Sequence, residues 1–212
     1  MAIGTLLSFW AVSLLLVLVP GADWAYAIAA GLRDGSVLPA VGGLLAGYLA
    51  LTGVVAAGLA ALIARSPVAL AGLTGLGAVY LVWLGITTVA RPPAPLAGAD
   101  QGSGPWTRRA LKGAAVSGLN PKALLLFLAL LPQFIARGTT WPVAVQIALL
   151  GLIHTANCAA VYTGVGSTAR RVLRTRPAAA RAVTRFSGAA MIVIGALLLA
   201  GRLLAGRHVP VL

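Results

Sequence analysis

Asp23 and Lys122 are the residues best placed to do chemistry. Each lies within an apolar run and closely follows a proline, Asp23 three residues after Pro20 and Lys122 one residue after Pro121. An ionised side chain at the centre of a membrane span costs about 2.5–3.5 kcal/mol on an insertion scale, so neither is expected to face lipid. Proline removes a backbone donor and frees a carbonyl one turn back. Those carbonyls belong to Leu16 and Ser117. Freed backbone groups inside a membrane need a partner, a cavity or a substrate. Pro20, Gly21 and Pro121 are therefore the expected helix-break residues, and Asn120 stands at the second break.

Two readings of the charged residues follow. In one, Asp23 and Lys122 form a structural ion pair that locks two parts of the chain together. In the other, Asp23 holds a cationic amine or carries a proton, and Lys122 attracts a carboxylate. A zwitterionic amino acid satisfies both. Ionisable groups inside a membrane are functional by default, which favours the second reading. Lys122 has a further option, because its span starts near residue 110 and its long side chain could snorkel towards headgroups.

His154 and Asn157 lie mid-span at i and i+3, on one helix face, and join the candidate substrate-binding or proton-coupling residues. Tyr162 is read as lying farther along, near the opposite side of that helix. Gln133 and Gln146 are expected to bond between helices. No metal site is expected, since His208 is remote in sequence and no carboxylate cluster accompanies either histidine. No cofactor is expected. The single Cys158 excludes an intrachain disulfide and paired-thiol redox chemistry. An enzyme would need a nucleophile–base pair, a metal cluster or paired thiols, and the sequence offers none.

The elements that must position these residues follow from composition. The chain has 212 residues, 60% of them hydrophobic and only 9% charged, with a mean hydropathy of +0.98. A soluble domain carries about 25% charged residues, so a water-facing surface is excluded. The net charge of +13 comes from 16 Lys and Arg against 3 Asp and Glu. Most basic residues lie between apolar runs, so the charge is topological and does not point to nucleic acid.

Continuous apolar runs of this length mean helices. Spans are expected at about 4–30, 38–64, 68–90, 110–136, 142–168 and 186–206. The fold class is an all-α integral membrane protein with six transmembrane helices, forming a single transmembrane domain over 1–212. Met1–Tyr26 lacks a basic start and is read as the first span, not a signal peptide. Alternate loops carry eleven basic residues on one face. Four, namely Arg65, Arg137, Arg202 and Arg207, lie on the other. The positive-inside rule then places both termini outside. Residues 169–185 carry six arginines and read as a basic interfacial helix attracted to anionic membrane lipids.

The chain looks doubled, with repeat one at about 4–91 and repeat two at about 110–206. Each half opens on a proline-interrupted span. Three spans per half is an odd number, so the halves are inverted, the layout of many secondary transporters. Gly43 and Gly47 form a GxxxG pattern that lets helices approach closely. Packing within the chain is the default, and a homodimer is the other use of such a face. Trp10, Trp83, Trp106, Trp141 and Tyr80 suit interfacial belts. Trp24 beside Asp23 suits either a site wall or core packing.

Three stretches carry a family resemblance. Pro20-Gly21-Ala22-Asp23 resembles the P-G-P-(D/N) motif of the lysine exporter (LysE/RhtB) family. Tyr80-Leu81-Val82-Trp83-Leu84-Gly85 resembles its Y-L-x-x-L-G signature. Gly118-Leu119-Asn120-Pro121-Lys122-Ala123, then Leu131-Pro132-Gln133-Phe134, resembles its G-x-x-N-P-K-A…L-P-Q-F block. The resemblance implies a six-helix protein of the bacterial plasma (inner) membrane. It implies export of an amino acid or related metabolite, by exchange for protons. The motif maps onto Pro20, Gly21, Asp23, Asn120, Pro121 and Lys122. Ala22 replaces the second motif proline, which puts the geometry of the first break in question. With Asp23 the one convincing acidic group, a neutral amino acid is favoured over lysine. A metal-ion or other small-solute exporter on the same architecture is the alternative, although a metal site would want more carboxylates or histidines.

Overall fold

A computed structural model of the chain describes residues 1–33, 36–65, 67–90, 105–136 and 138–175, with isolated positions between 185 and 200. The order is α1 (Ile3–Val17), α2 (Ala22–Arg33), α3 (Leu38–Arg65), α4 (Pro67–Ala90), α5 (Trp106–Gly118), α6 (Pro121–Leu130), a 3-10 turn (Leu131–Phe134) and α7 (Val143–Thr175). Among the described residues, α3 and α7 are each long and apolar enough to cross a membrane. The α1–α2 pair, bent by 64°, makes a third candidate span.

The sequence explains where helices start and stop. Proline opens α4 at Pro67 and α6 at Pro121, where its missing N–H is no loss. The expected first and fourth spans are each two helices. The expected fifth span runs on to Thr175 as part of α7. Arg170, Arg171 and Arg174 thus belong to the last turns of a long helix and not to a separate interfacial one, because no glycine or proline intervenes before Pro177. Residues 176–184, most of the expected sixth span and the loop at 91–104 lie outside the described residues.

The core lies where α3 and α7 meet the broken helices. Phe9, Leu44, Phe127, Leu130, Leu131, Ile147 and Leu150 are the largest apolar side chains fully buried there. Helix α3 packs on α5 through the GxxxG face. A Cβ at Gly43 would strike the Ala110 carbonyl, and one at Gly47 would lie 2.5 Å from the Ala114 carbonyl. These glycines are consumed within the chain, so they are not a free dimer face. Gly151 of α7 similarly admits Thr52 of α3. Trp10, Trp83, Trp106 and Trp141 are exposed on the outside of the bundle.

Loops are tied by polar side chains. Arg109 donates to the Ser36 carbonyl at 2.7 Å, and the Tyr26 hydroxyl donates to the Arg109 carbonyl. Gln146 accepts from the Ala136 N–H at 2.9 Å and donates to the carbonyls of Ala136 and Trp141. It clamps the turn before its own helix and does not bond between helices as expected. A buried amide needs all its partners, and the turn's backbone supplies them. Gln133 is exposed.

Candidate functional site

The two breaks solve the same backbone problem in the same way. At the first, Leu18 N–H donates to the Leu14 carbonyl at 3.0 Å and Val19 N–H to the Leu16 carbonyl at 3.2 Å. At the second, Leu119 N–H donates to the Ala115 carbonyl at 3.1 Å and Asn120 N–H to the Ser117 carbonyl at 3.2 Å. The carbonyls of Leu16 and Ser117, expected to be freed, are therefore satisfied by a tightened last turn. What stays available at the breaks is side-chain chemistry.

Asp23 lies in the first turn of α2, where the positive end of the helix favours a carboxylate. Its side chain is buried, with 5% exposed. The Ser117 hydroxyl donates to Oδ1 at 2.7 Å, and the Asn120 amide donates to Oδ2 at 3.1 Å. The Tyr48 hydroxyl donates to Oδ2 at 3.2 Å. The carboxylate of the first break is thus held by the residues of the second and by α3. Asn120 stands just before Pro121, the first residue of α6, and its carbonyl accepts from Leu124 N–H. Trp24 turns its indole N–H back to the Val17 carbonyl at 2.8 Å. It braces the first break.

A second polar group lies alongside. His154 Nδ1 is 2.9 Å from the Ser13 hydroxyl, and Asn157 donates to Ser13 Oγ and to the Trp10 carbonyl, both at 3.1 Å. His154 and Asn157 share one face, as expected from their spacing, and both reach α1. The Tyr48 ring joins the two groups. Its centroid is 5.0 Å from that of His154, and its hydroxyl is 3.3 Å from the Tyr162 hydroxyl. Phe127 closes on His154 edge-on at 5.0 Å. Tyr162 therefore does not lie opposite His154. Eight residues turn a helix by about 80° beyond two full turns, and Tyr48 fills the angle between them.

Sequence reasoning missed Tyr48 and Ser13, and it used Ser117 only for its carbonyl. The signal was present. Ser13 and Tyr48 are polar residues inside apolar runs, and Tyr48 directly follows Gly47. Lys122 is the second residue of α6, and its side chain lies outside the described residues. Among the described residues no group of three or more His, Cys, Asp or Glu could hold a metal ion.

The described residues thus set a buried carboxylate, held by the side chains of Ser117, Asn120 and Tyr48, between two helix breaks in an apolar bundle. Residues 14–202 match the LysE type translocators, and the chain belongs to this family. Its members are transporters, not enzymes. It is 30% identical over 200 residues to a homoserine/homoserine lactone efflux protein of Salmonella typhimurium, covering 90% of this chain and 93% of that one. It is 33% identical over 146 residues to a leucine efflux protein of Enterobacter sp., covering 61% of this chain and 64% of that one. A Vibrio cholerae protein described as an uncharacterized membrane protein is 34% identical over 165 residues, covering 74% and 78%. No solved structure matches the chain.

Proposed function

We propose that this protein is a secondary transporter that exports a neutral amino acid or a related small metabolite across the bacterial plasma membrane in exchange for protons. The observation that carries this reading is the buried Asp23 carboxylate, held by Ser117, Asn120 and Tyr48 from elements far apart in sequence. These three donors are themselves neutral, and each stabilises the ionised form of the carboxylate. It can then take either an ammonium group or a proton, and competition for one carboxylate is the simplest basis for exchange. Asn120 and Ser117 orient it. His154 and Asn157 line the adjoining polar group, and Lys122 attracts the substrate carboxylate. The leucine and homoserine efflux relatives favour a neutral substrate.

The same reading has six spans in two inverted repeats forming one transmembrane domain, with both termini outside. The matching backbone pattern at the two breaks supports the repeat. The excess of basic residues in alternate loops supports the orientation.

The test is uptake of labelled leucine and homoserine into inverted membrane vesicles with an acid-inside gradient. Uptake that an uncoupler abolishes and that Asp23→Asn removes is the expected result. Uptake indifferent to the uncoupler overturns proton exchange, and uptake retained by Asp23→Asn overturns the role of Asp23.

A further inference from the structure

The hydrogens around Tyr48 impose a direction. An ionised carboxylate only accepts, so the single Tyr48 hydroxyl hydrogen points to Asp23 Oδ2. The Tyr48 oxygen then accepts from Tyr162, 3.3 Å away. Both rings are buried, at 4% and 3% exposure. The result is a directed chain, Tyr162 to Tyr48 to Asp23. When Asp23 is protonated, its O–H can donate to Tyr48, and the whole chain reverses.

The far end of this chain lies beside a tight crossing. A Cβ at Gly166 would lie 2.9 Å from the Ala27 carbonyl and 3.0 Å from Val37, and one at Gly31 would strike the Gly166 carbonyl. Gly166 is one turn past Tyr162. The backbones of α2 and α7 thus approach closely one turn beyond the buried Tyr162 hydroxyl, on the side of the Thr175 end of α7.

We propose that Tyr48 and Tyr162 form the proton relay of Asp23, opening towards the Thr175 end of α7 when the α2–α7 crossing parts. The inference rests on the proton exchange proposed above. The balance of the step is simple. The Asp23 proton moves to the Tyr48 oxygen, the Tyr48 hydrogen moves to the Tyr162 oxygen, and the Tyr162 hydrogen leaves to water. Asp23 ends ionised and both tyrosines end neutral. The reverse sequence loads the carboxylate. The present spacings of 3.2 and 3.3 Å exceed the usual 2.7–2.8 Å for such bonds, so transfer needs the rings to close up by a few tenths of an ångström. Tyr48, bonded to the carboxylate, can move with it when Asp23 exchanges proton for amine.

Tyr162→Phe removes the relay's end without touching Asp23. Two readouts separate relay from scaffold. One is proton flux evoked by leucine or homoserine in inverted vesicles, read with a pH-sensitive dye. The other is counterflow of the same labelled amino acid with no gradient imposed. The relay predicts that the ratio of proton flux to counterflow falls at least tenfold in Tyr162→Phe and in Tyr48→Phe. Proton flux and counterflow that fall in proportion, or a ratio unchanged from the unmodified protein, overturn the relay while leaving proton exchange intact. Absence of evoked proton flux in the unmodified protein overturns proton exchange itself, and the relay with it.

Discussion

The two helix breaks share a backbone and differ in everything downstream of it. Upstream, the last turns of α1 and α5 close with the same pair of hydrogen bonds. Downstream, α6 begins at Pro121 itself, whereas α2 begins at Ala22, two residues after Pro20. The first break therefore carries an extra unwound segment, and its helices bend by 64°. Its side chains also differ in kind. The first break supplies the acceptor, Asp23, and the second supplies the donors, Ser117 and Asn120. An acidic break would pay heavily for burial by itself. The difference shows that one break neutralises the cost of the other, so that the site exists only when both face each other.

The comparison also settles the departure at Ala22. A second motif proline would fall at the first position of α2, the position Pro121 holds in α6. That position needs no N–H, so alanine serves there and the break still forms at Pro20. The question raised by Ala22 is answered at the level of the backbone: the helix is interrupted between Val17 and Ala22 and bends by 64° with alanine at that position.

The surest way to break this pairing is to drive α3 off α5, since the α3 register brings Tyr48 to the donors. Gly43→Leu places a side chain on the Ala110 carbonyl. Overpacking costs about 1–3 kcal/mol where neighbours can yield, and backbone yields less readily. The expected outcome is loss of monodisperse protein in detergent, checked by size-exclusion chromatography. Asp23→Asn keeps the shape and removes the charge. It should lower efflux about 100-fold through loss of the ionisable group, with a fall of a few degrees in melting temperature as the charge-assisted bonds weaken. Efflux within a factor of two of the unmodified protein would break the pairing of acceptor and donor breaks.

Ser117→Ala removes the shortest bond to Asp23. A loss of about 1–2 kcal/mol in substrate affinity is expected, read as a rise of roughly tenfold in the half-saturating substrate concentration. Asn120→Ala, whose bond is longer, should do less, and the reverse order would show that Oδ2 is the more important oxygen. The smallest effect is expected from Ala22→Pro. Proline at a compatible position stabilises by about 0.4–1 kcal/mol through the unfolded chain. A small rise in melting temperature with unchanged efflux is the expected result. Destabilisation would mean that the two helix starts are not equivalent.

Much of this was legible in the residues. Pro20 and Pro121 marked the breaks, and the i, i+3 spacing of His154 and Asn157 placed both on one helix face, which the structure turns towards α1. The misreadings have physical causes. The Leu16 and Ser117 carbonyls were expected to be free, but a helix end can tighten and reclaim them. Gln146 was given to a neighbouring helix, yet the turn beside it had unpaired backbone groups closer by. Tyr162 was placed opposite His154 by a misjudged rotation, and Tyr48, which spans the angle between them, lies more than a hundred residues away in sequence.

Sequence alone therefore determined the apolar helices, their interruption by proline, and the presence of a carboxylate that burial would penalise unless something met it. Those properties are local, fixed by side-chain hydropathy and by the missing proline N–H. The tertiary structure decided what meets the carboxylate. Asp23 lies 94 residues from Ser117, 97 from Asn120 and 25 from Tyr48. A hydrogen bond is lost over a few tenths of an ångström. Only the glycine-set approach of α3 to α5, together with the bend at Pro20, brings these groups within that range.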